Sequence, residues 1–173
     1  MKVQPVTVAA FLTIAASVLA QPNASINDAQ IASIVVTANQ VDIDAGQLAS
    51  RMATHPEVKK FGTTMVTDHT GVNKAAVDLA TRLKVTPEDN DTSKTLSKQA
   101  ADKLAELAKL KGADYDKAYV ANEVAYHKAV NGALETLLIP SASNAELKSL
   151  LQTGLKIFQG HQQHAEHVAA GLK

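Results

Sequence analysis

From residue 27 onward, apolar residues recur in steps of three and four, the period at which one face of an α-helix is buried. The first stripe is Ile31, Ile34/Val35, Ala38, Val41, Ala45, Leu48 and Met52, opened by Asn27-Asp28, whose short polar side chains suit a helix cap. It stops at Thr54-His55-Pro56, because the residue before a proline is pushed out of the helical region. Pro56 then suits the first turn of a second helix, which carries Val58, Phe61, Met65, His69, Val72, Ala76, Leu79 and Leu83 and ends before Pro87. A shorter helix is predicted from about Ser93 to Leu110, with Leu96, Ala100, Leu104 and Leu107 on one side; Gly112 closes it, being free to turn left-handed. A fourth, capped by Asp114 and ended by Pro140, carries Val120, Val124, His127, Val130, Leu134 and Leu137. The fifth opens on a Ser143-x-x-Glu146 capping box and turns Leu147, Leu151, Gly154, Phe158, His161, Ala165, Val168 and Leu172 inward. No run alternates with period two, so no strands are predicted.

Four of these helices would each be about 40 Å long, and the one between the two hairpins is shorter. The expected fold is all-α: a ferritin-like four-helix bundle with an additional short helix in the crossover connection. An irregular five-helix bundle is the alternative. Gly62, Gly71 and Gly154 interrupt helices at a cost of about 1 kcal/mol each relative to Ala, and the use expected for them is close approach of neighbouring helices.

The segment ahead of the bundle has a different character. Met1-Lys2 followed by the uncharged apolar run Val6 to Ala20, ending Val18-Leu19-Ala20, has the pattern of a secretory signal peptide. At about 15 residues the run is shorter than the ~20 that a membrane-spanning helix needs. The expected organisation is therefore a signal peptide over 1–20, a short linker over 21–26 and the bundle domain over 27–173. An exported chain is implied, periplasmic or secreted, with no transmembrane span once the signal is removed. With no cysteine there is no lipidated thiol, disulfide or thiolate ligand. Lys and Arg number 17, and so do Asp and Glu. That balance, with three Phe, three Tyr and no Trp, argues against nucleic acid, which requires a basic face and stacking platforms. A protein partner or homo-oligomer is compatible with the sequence, but nothing in it indicates one.

The candidate chemistry lies in the histidines. His69, His127 and His161 each occupy the inward stripe of a different long helix. A single core histidine is most often a satisfied packing residue. Three on separate stripes point to a shared polar pocket, because each buried imidazole needs its nitrogens partnered. Carboxylates stand nearby: Asp42 and Asp44 lie on or beside the inward face of the first helix, and Glu123 is one turn before His127. Counting along each hairpin puts Asp42 level with His69, and Glu123 within a turn of His161. Asp68 adjoins His69 but points about 100° away around the helix. The candidate ligand set is thus His69, His127, His161, Asp42 and Glu123, which would accept a single Fe, Mn or Zn ion. A ferritin-type di-iron site uses Glu-x-x-His on two helices, and no acid precedes a histidine by three here, so two irons are disfavoured. In the His161-x-x-His164-x-x-His167 series His167 lies about 120° around from His161, so the three cannot face one point. No nucleophile motif and no Gly-rich phosphate loop is present.

The run Asp44-Ala45-Gly46-Gln47-Leu48-Ala49, then Pro56-Glu57-Val58-Lys59-Lys60-Phe61 and Met65-Val66-Thr67-Asp68-His69-Thr70, resembles an exported bacterial family, domain of unknown function 4142. Tyr115-Asp116-Lys117-Ala118-Tyr119 and His127-Lys128-Ala129-Val130 are similar to that family's second half, and His161 falls on its C-terminal histidine. The likeness implies export and a ferritin-like bundle; it supplies no activity. Where the family repeats Val-x-Asp-His, this chain reads Val124-Ala125-Tyr126-His127, so Tyr126 replaces an acid. Two functional readings follow. One is an exported bundle that binds a metal through these residues, for metal handling or stress. The other is a structural or protein-interaction module of the cell envelope, without metal or catalysis. An enzyme using His and Asp as acid and base ranks below both.

Overall fold

The structure, a computed structural model, describes residues 26–172. All its regular elements are helical: α1 (Asp28–Met52), α2 (Pro56–Leu83), α3 (Asp91–Leu107), α4 (Gly112–Ala133) and α5 (Ala145–Gly171). Helix α4 continues through a π-helical turn, Leu134–Leu138, into a last turn at Ile139–Ser141. No helix among the described residues is long and apolar enough to cross a membrane. The proposed signal peptide lies outside the described residues.

The helix ends follow local chemistry. At the start of α1, the Asn27 side chain accepts from the Gln30 backbone while the Gln30 side chain accepts from the Asn27 backbone, a reciprocal cap. Helix α2 opens with Pro56 in its first turn and the His55 ring accepting from the Glu57 backbone. Three expected ends shift. Helix α3 starts two residues early, because Asn90 and Ser93 form its cap. Helix α4 starts on Gly112, at φ 56°, with no side-chain cap, so Asp114 sits inside its first turn instead of capping it. The cap of α5 is Asn144, which accepts from Glu146 and Leu147, and not Ser143. Nor does Pro140 end α4 at Leu138. A proline ring clashes with the carbonyl four residues back, and the wider π turn just before it relieves that clash, so the helix gains a further turn.

Helices α1 and α2 form one antiparallel hairpin, α4 and α5 the other, and α1–α4 and α2–α5 contacts close the bundle. Helix α3 packs chiefly on α1 and runs beside it. It carries the chain back to the end where α1 stops, so α4 runs in the same direction as α2. Carboxylates pin both ends. Buried Asp116, at the start of α4, accepts from the Thr54 backbone (3.0 Å), the Thr54 hydroxyl (2.6 Å) and the His55 backbone (2.9 Å) in the α1–α2 turn. At the opposite end Asp28 accepts from the backbones of Ser143 (2.8 Å) and Asn144 (3.0 Å).

The apolar core is split. One cluster holds Ile31, Ile34, Leu79, Leu96, Leu134, Leu138, Leu151 and Phe158; the other holds Val58, Phe61, Met65, Leu107, Tyr115, Tyr119, Val120 and Val168. Each fully buried large side chain contributes about 1.5–3 kcal/mol, so both clusters are substantial. Between them lies a polar layer to which each of the four long helices contributes.

Candidate metal centre

The polar layer is made of Asn39 and Asp42 on α1, His69 on α2, Glu123 and His127 on α4, and His161 on α5, all buried. On every helix they fall between the apolar segments that feed the two clusters, so their depth follows from where the stripe changes chemistry. The imidazoles converge. Ring centroids are 5.1 Å apart for His69–His161, 5.4 Å for His127–His161 and 5.6 Å for His69–His127. One nitrogen of each lies within 4.8 Å of the others, and a second such group joins Asp42, Glu123 and His127.

Each ring has one nitrogen engaged outward. His69 Nδ1–H donates to Asn39 Oδ1 (2.8 Å), and the Asn39 amide is held by the Val35 carbonyl (2.8 Å). His127 Nδ1–H donates to the Glu123 carbonyl (3.0 Å). His161 Nε2–H donates to Asp68 (2.9 Å). Those acceptors fix the tautomers, leaving His69 Nε2, His127 Nε2 and His161 Nδ1 as bare lone pairs. These three atoms, with Asp42 Oδ1 and Glu123 Oε2, are five of the nine buried side-chain polar atoms without a partner among the described residues.

Burial sets the charge state. It lowers His69 to about 2, helped by His127 and His161, and His127 to about 4, helped by His161. It also lowers His161, against the opposing pull of Asp68. The carboxyls move the other way: burial raises Glu123 to about 7, and burial plus the facing Glu123 raises Asp42 well above its ordinary value. His69 Nε2 is 3.5 Å from Asp42 Oδ2, and His127 Nδ1 is 3.6 Å from Glu123 Oε2. At those distances, with imidazoles and carboxyls both driven toward neutrality, they are close contacts and not ion pairs.

The described family Domain of unknown function (DUF4142) matches residues 13–168. The chain belongs to this family. No curated protein and no solved structure matches it. Neither the family's description nor any relative therefore assigns a role to the polar layer.

The five residues read from the sequence as ligands fall into two adjoining groups that share His127, with one change of partner. Asp42 lies beside His69 as the register count expects, but Glu123 faces Asp42 and His127 instead of pairing with His161. Level along the hairpin is not the reason, since with α4 ending at Ser141 the count still sets Glu123 nearer to His161 than His127 is. Asp44 is exposed, and its carboxylate accepts from Gln40 (2.8 Å). His164 stays outside the cluster, with its ring edge-on to Phe61 at 5.1 Å, and His167 is exposed. Sequence reasoning passed over Asp68 and Asn39, the groups that orient two of the three rings. The signal for Asp68 was its rotation away from His69, which aims it at the neighbouring helix α5. Tyr126 donates to the Ala38 carbonyl (3.0 Å).

Proposed function

We propose that this protein binds a single divalent transition-metal ion, iron, manganese or zinc, at the centre of its bundle. The ligands are His69 Nε2, His127 Nε2, His161 Nδ1 and the carboxylates of Asp42 and Glu123. The carrying observation is that three buried imidazoles from three helices bring bare nitrogens together and that Asp42 and Glu123 form a second group with His127 beside them, all residue types that bind such metals. Leaving a buried polar group unpaired costs about 1–3 kcal/mol. The three bare imidazole nitrogens alone take up a large share of the net stability of a domain, about 5–15 kcal/mol. A cation among the rings removes that cost at all three nitrogens, whereas an additional protein hydrogen bond would relieve only one. The outward bonds to Asn39, the Glu123 carbonyl and Asp68 are the orienting contacts that metal-bound imidazoles have.

The metal is placed in an exported protein by the signal-like segment over 1–20, and metal handling or protection from metal-driven stress is the role this suits. Export is checked by the N-terminus of the protein recovered outside the cytoplasm, expected at Gln21.

The metal reading is tested by stripping the purified protein with a chelator and titrating Fe²⁺, Mn²⁺ and Zn²⁺ while following thermal unfolding. One equivalent is expected to bind and raise the melting temperature. His127→Ala, shown by circular dichroism to remain helical, is expected to lose the shift, and His127→Gln serves if the alanine variant does not fold. No bound equivalent and no shift with any of the three ions would sink the proposal and leave the envelope-module reading.

A further inference from the structure

A second feature adjoins the metal cluster. Between α1, α2, α3, α4 and α5 is a partly open apolar recess of about 30 Å³, whose walls include Val35, Asn39, Leu134, Leu138, Gly154 and Phe158. Roughly 10–15 Å³ suffices for one water molecule, so the space fits one diatomic molecule and is far below the ~300 Å³ or more of pockets for organic ligands. Two of its wall residues touch the cluster directly. Phe158 stacks on His69 with centroids 4.7 Å apart and planes 8° from parallel, and Asn39 holds His69 Nδ1. One layer of side chains separates the cavity from the candidate ligands.

The walls disfavour water. Every lining residue except Asn39 is apolar or glycine. Both ends of the Asn39 amide are engaged, the nitrogen by the Val35 carbonyl and the oxygen by His69. A water in the depth of the recess would lack the two to four partners it needs, so the apolar walls favour apolar atoms or molecules.

The space is also kept open at a cost. Gly154 lies mid-helix, where glycine is unfavourable, and packing does not require it. An added Cβ would meet only the Phe158 ring, at 3.5 and 3.8 Å, which is ordinary contact. This corrects the expectation that Gly154 serves close helix approach. On the opposite wall the π-helical turn carries Leu134 and Leu138.

We infer that this cavity is a binding site for an apolar diatomic gas, dioxygen, held beside the metal centre. The inference rests on the metal reading only for what the gas would meet; the binding itself is a property of the metal-free bundle. Dissolved dioxygen is paramagnetic and speeds the relaxation of methyl groups it contacts, so it serves as its own probe. In the chelator-treated full chain, the methyls of Leu134 and Leu138 are expected to relax several-fold faster under oxygen than those of Val58 and Val120, which are also buried, in the other cluster. Gly154→Ala is expected to abolish that excess while raising the melting temperature, and Ala38→Leu, filling the cavity from α1, to abolish it independently. Equal oxygen effects in both clusters would overturn the inference, as would an excess that survives both variants. Either result leaves the metal titration unaffected, and a failed metal titration leaves the oxygen effect to be read separately.

Discussion

At the scale of single residues, the pair Asp68-His69 shows how neighbours in sequence serve different parts of one site. His69 points inward from α2, and Asp68, rotated by about 100°, reaches α5 and holds His161 Nε2 at 2.9 Å. Asp68 is 41 % exposed, so its removal leaves the core intact. Orienting partners of this kind are worth about 10–100-fold in metal affinity. Asp68→Ala is therefore expected to weaken binding by that factor with a near-unchanged melting temperature of the metal-free protein, measured by competition with a chelating dye. Undiminished affinity would show that His161 is oriented without Asp68. The inward histidines were legible because apolar residues flank each at helical spacing. Asn39 and Asp68 were not, since a hydrogen bond between helices leaves no period in either one.

At the scale of elements, the α1–α2 crossing depends on two glycines with no spare room. A Cβ on Gly46 would lie 2.5 Å from the Gly62 carbonyl oxygen, and one on Gly62 would lie 2.7 Å from the Ala49 Cβ. Gly71, by contrast, has nothing within 4 Å of where its Cβ would be. Gly62→Ala is expected to destabilise by about 1–3 kcal/mol through overpacking, and Gly71→Ala to stabilise by up to about 1 kcal/mol through helix propensity. Denaturant unfolding of the two variants should move in opposite directions; a shared sign would mean that the crossing relaxes freely. The sequence treated Gly62, Gly71 and Gly154 alike, because a glycine within a helical pattern does not say what faces it. Helix existence was legible from the three-and-four spacing. Helix ends were less so wherever a π turn or a competing cap intervened, as at Pro140 and Ser143.

At the scale of the whole molecule, the polar layer gives the metal-free bundle a distinctive pH profile. Unfolded histidines take up protons below about 6.5, but buried His69, His127 and His161 resist them. Their three contributions to stability are present above that pH and are lost as it falls toward their depressed values. Asp42 and Glu123 work in the opposite sense. Their raised values favour the fold below about pH 4, and that contribution is lost as pH rises, through about 7 for Glu123. Between those limits the two sets oppose each other, so stability changes less steeply with pH than either set alone would make it. Above about 6.5 only the carboxyls act, and it falls. The chelated protein should therefore lose melting temperature as pH rises from about 6.5 through 7. A bound cation favours the ionised carboxyls and releases their protons, so the shift it produces should grow as pH rises toward 7. Melting temperatures across pH 4.5–8, with chelator and with metal, check both; a metal-induced shift independent of pH would remove Asp42 and Glu123 from the ligand set.

The sequence by itself determined the helical period, the four long rods with a short one between them, and the residue types that each rod turns inward. Those are local properties, set by side chains three and four positions apart on one segment. Only the tertiary structure decided that the inward groups of four helices share one level. It also decided which nitrogen of each ring stays bare, and that Glu123 faces Asp42 instead of His161. Such relations depend on helix ends, crossing contacts and hydrogen bonds between segments, and no pattern within a single helix encodes them.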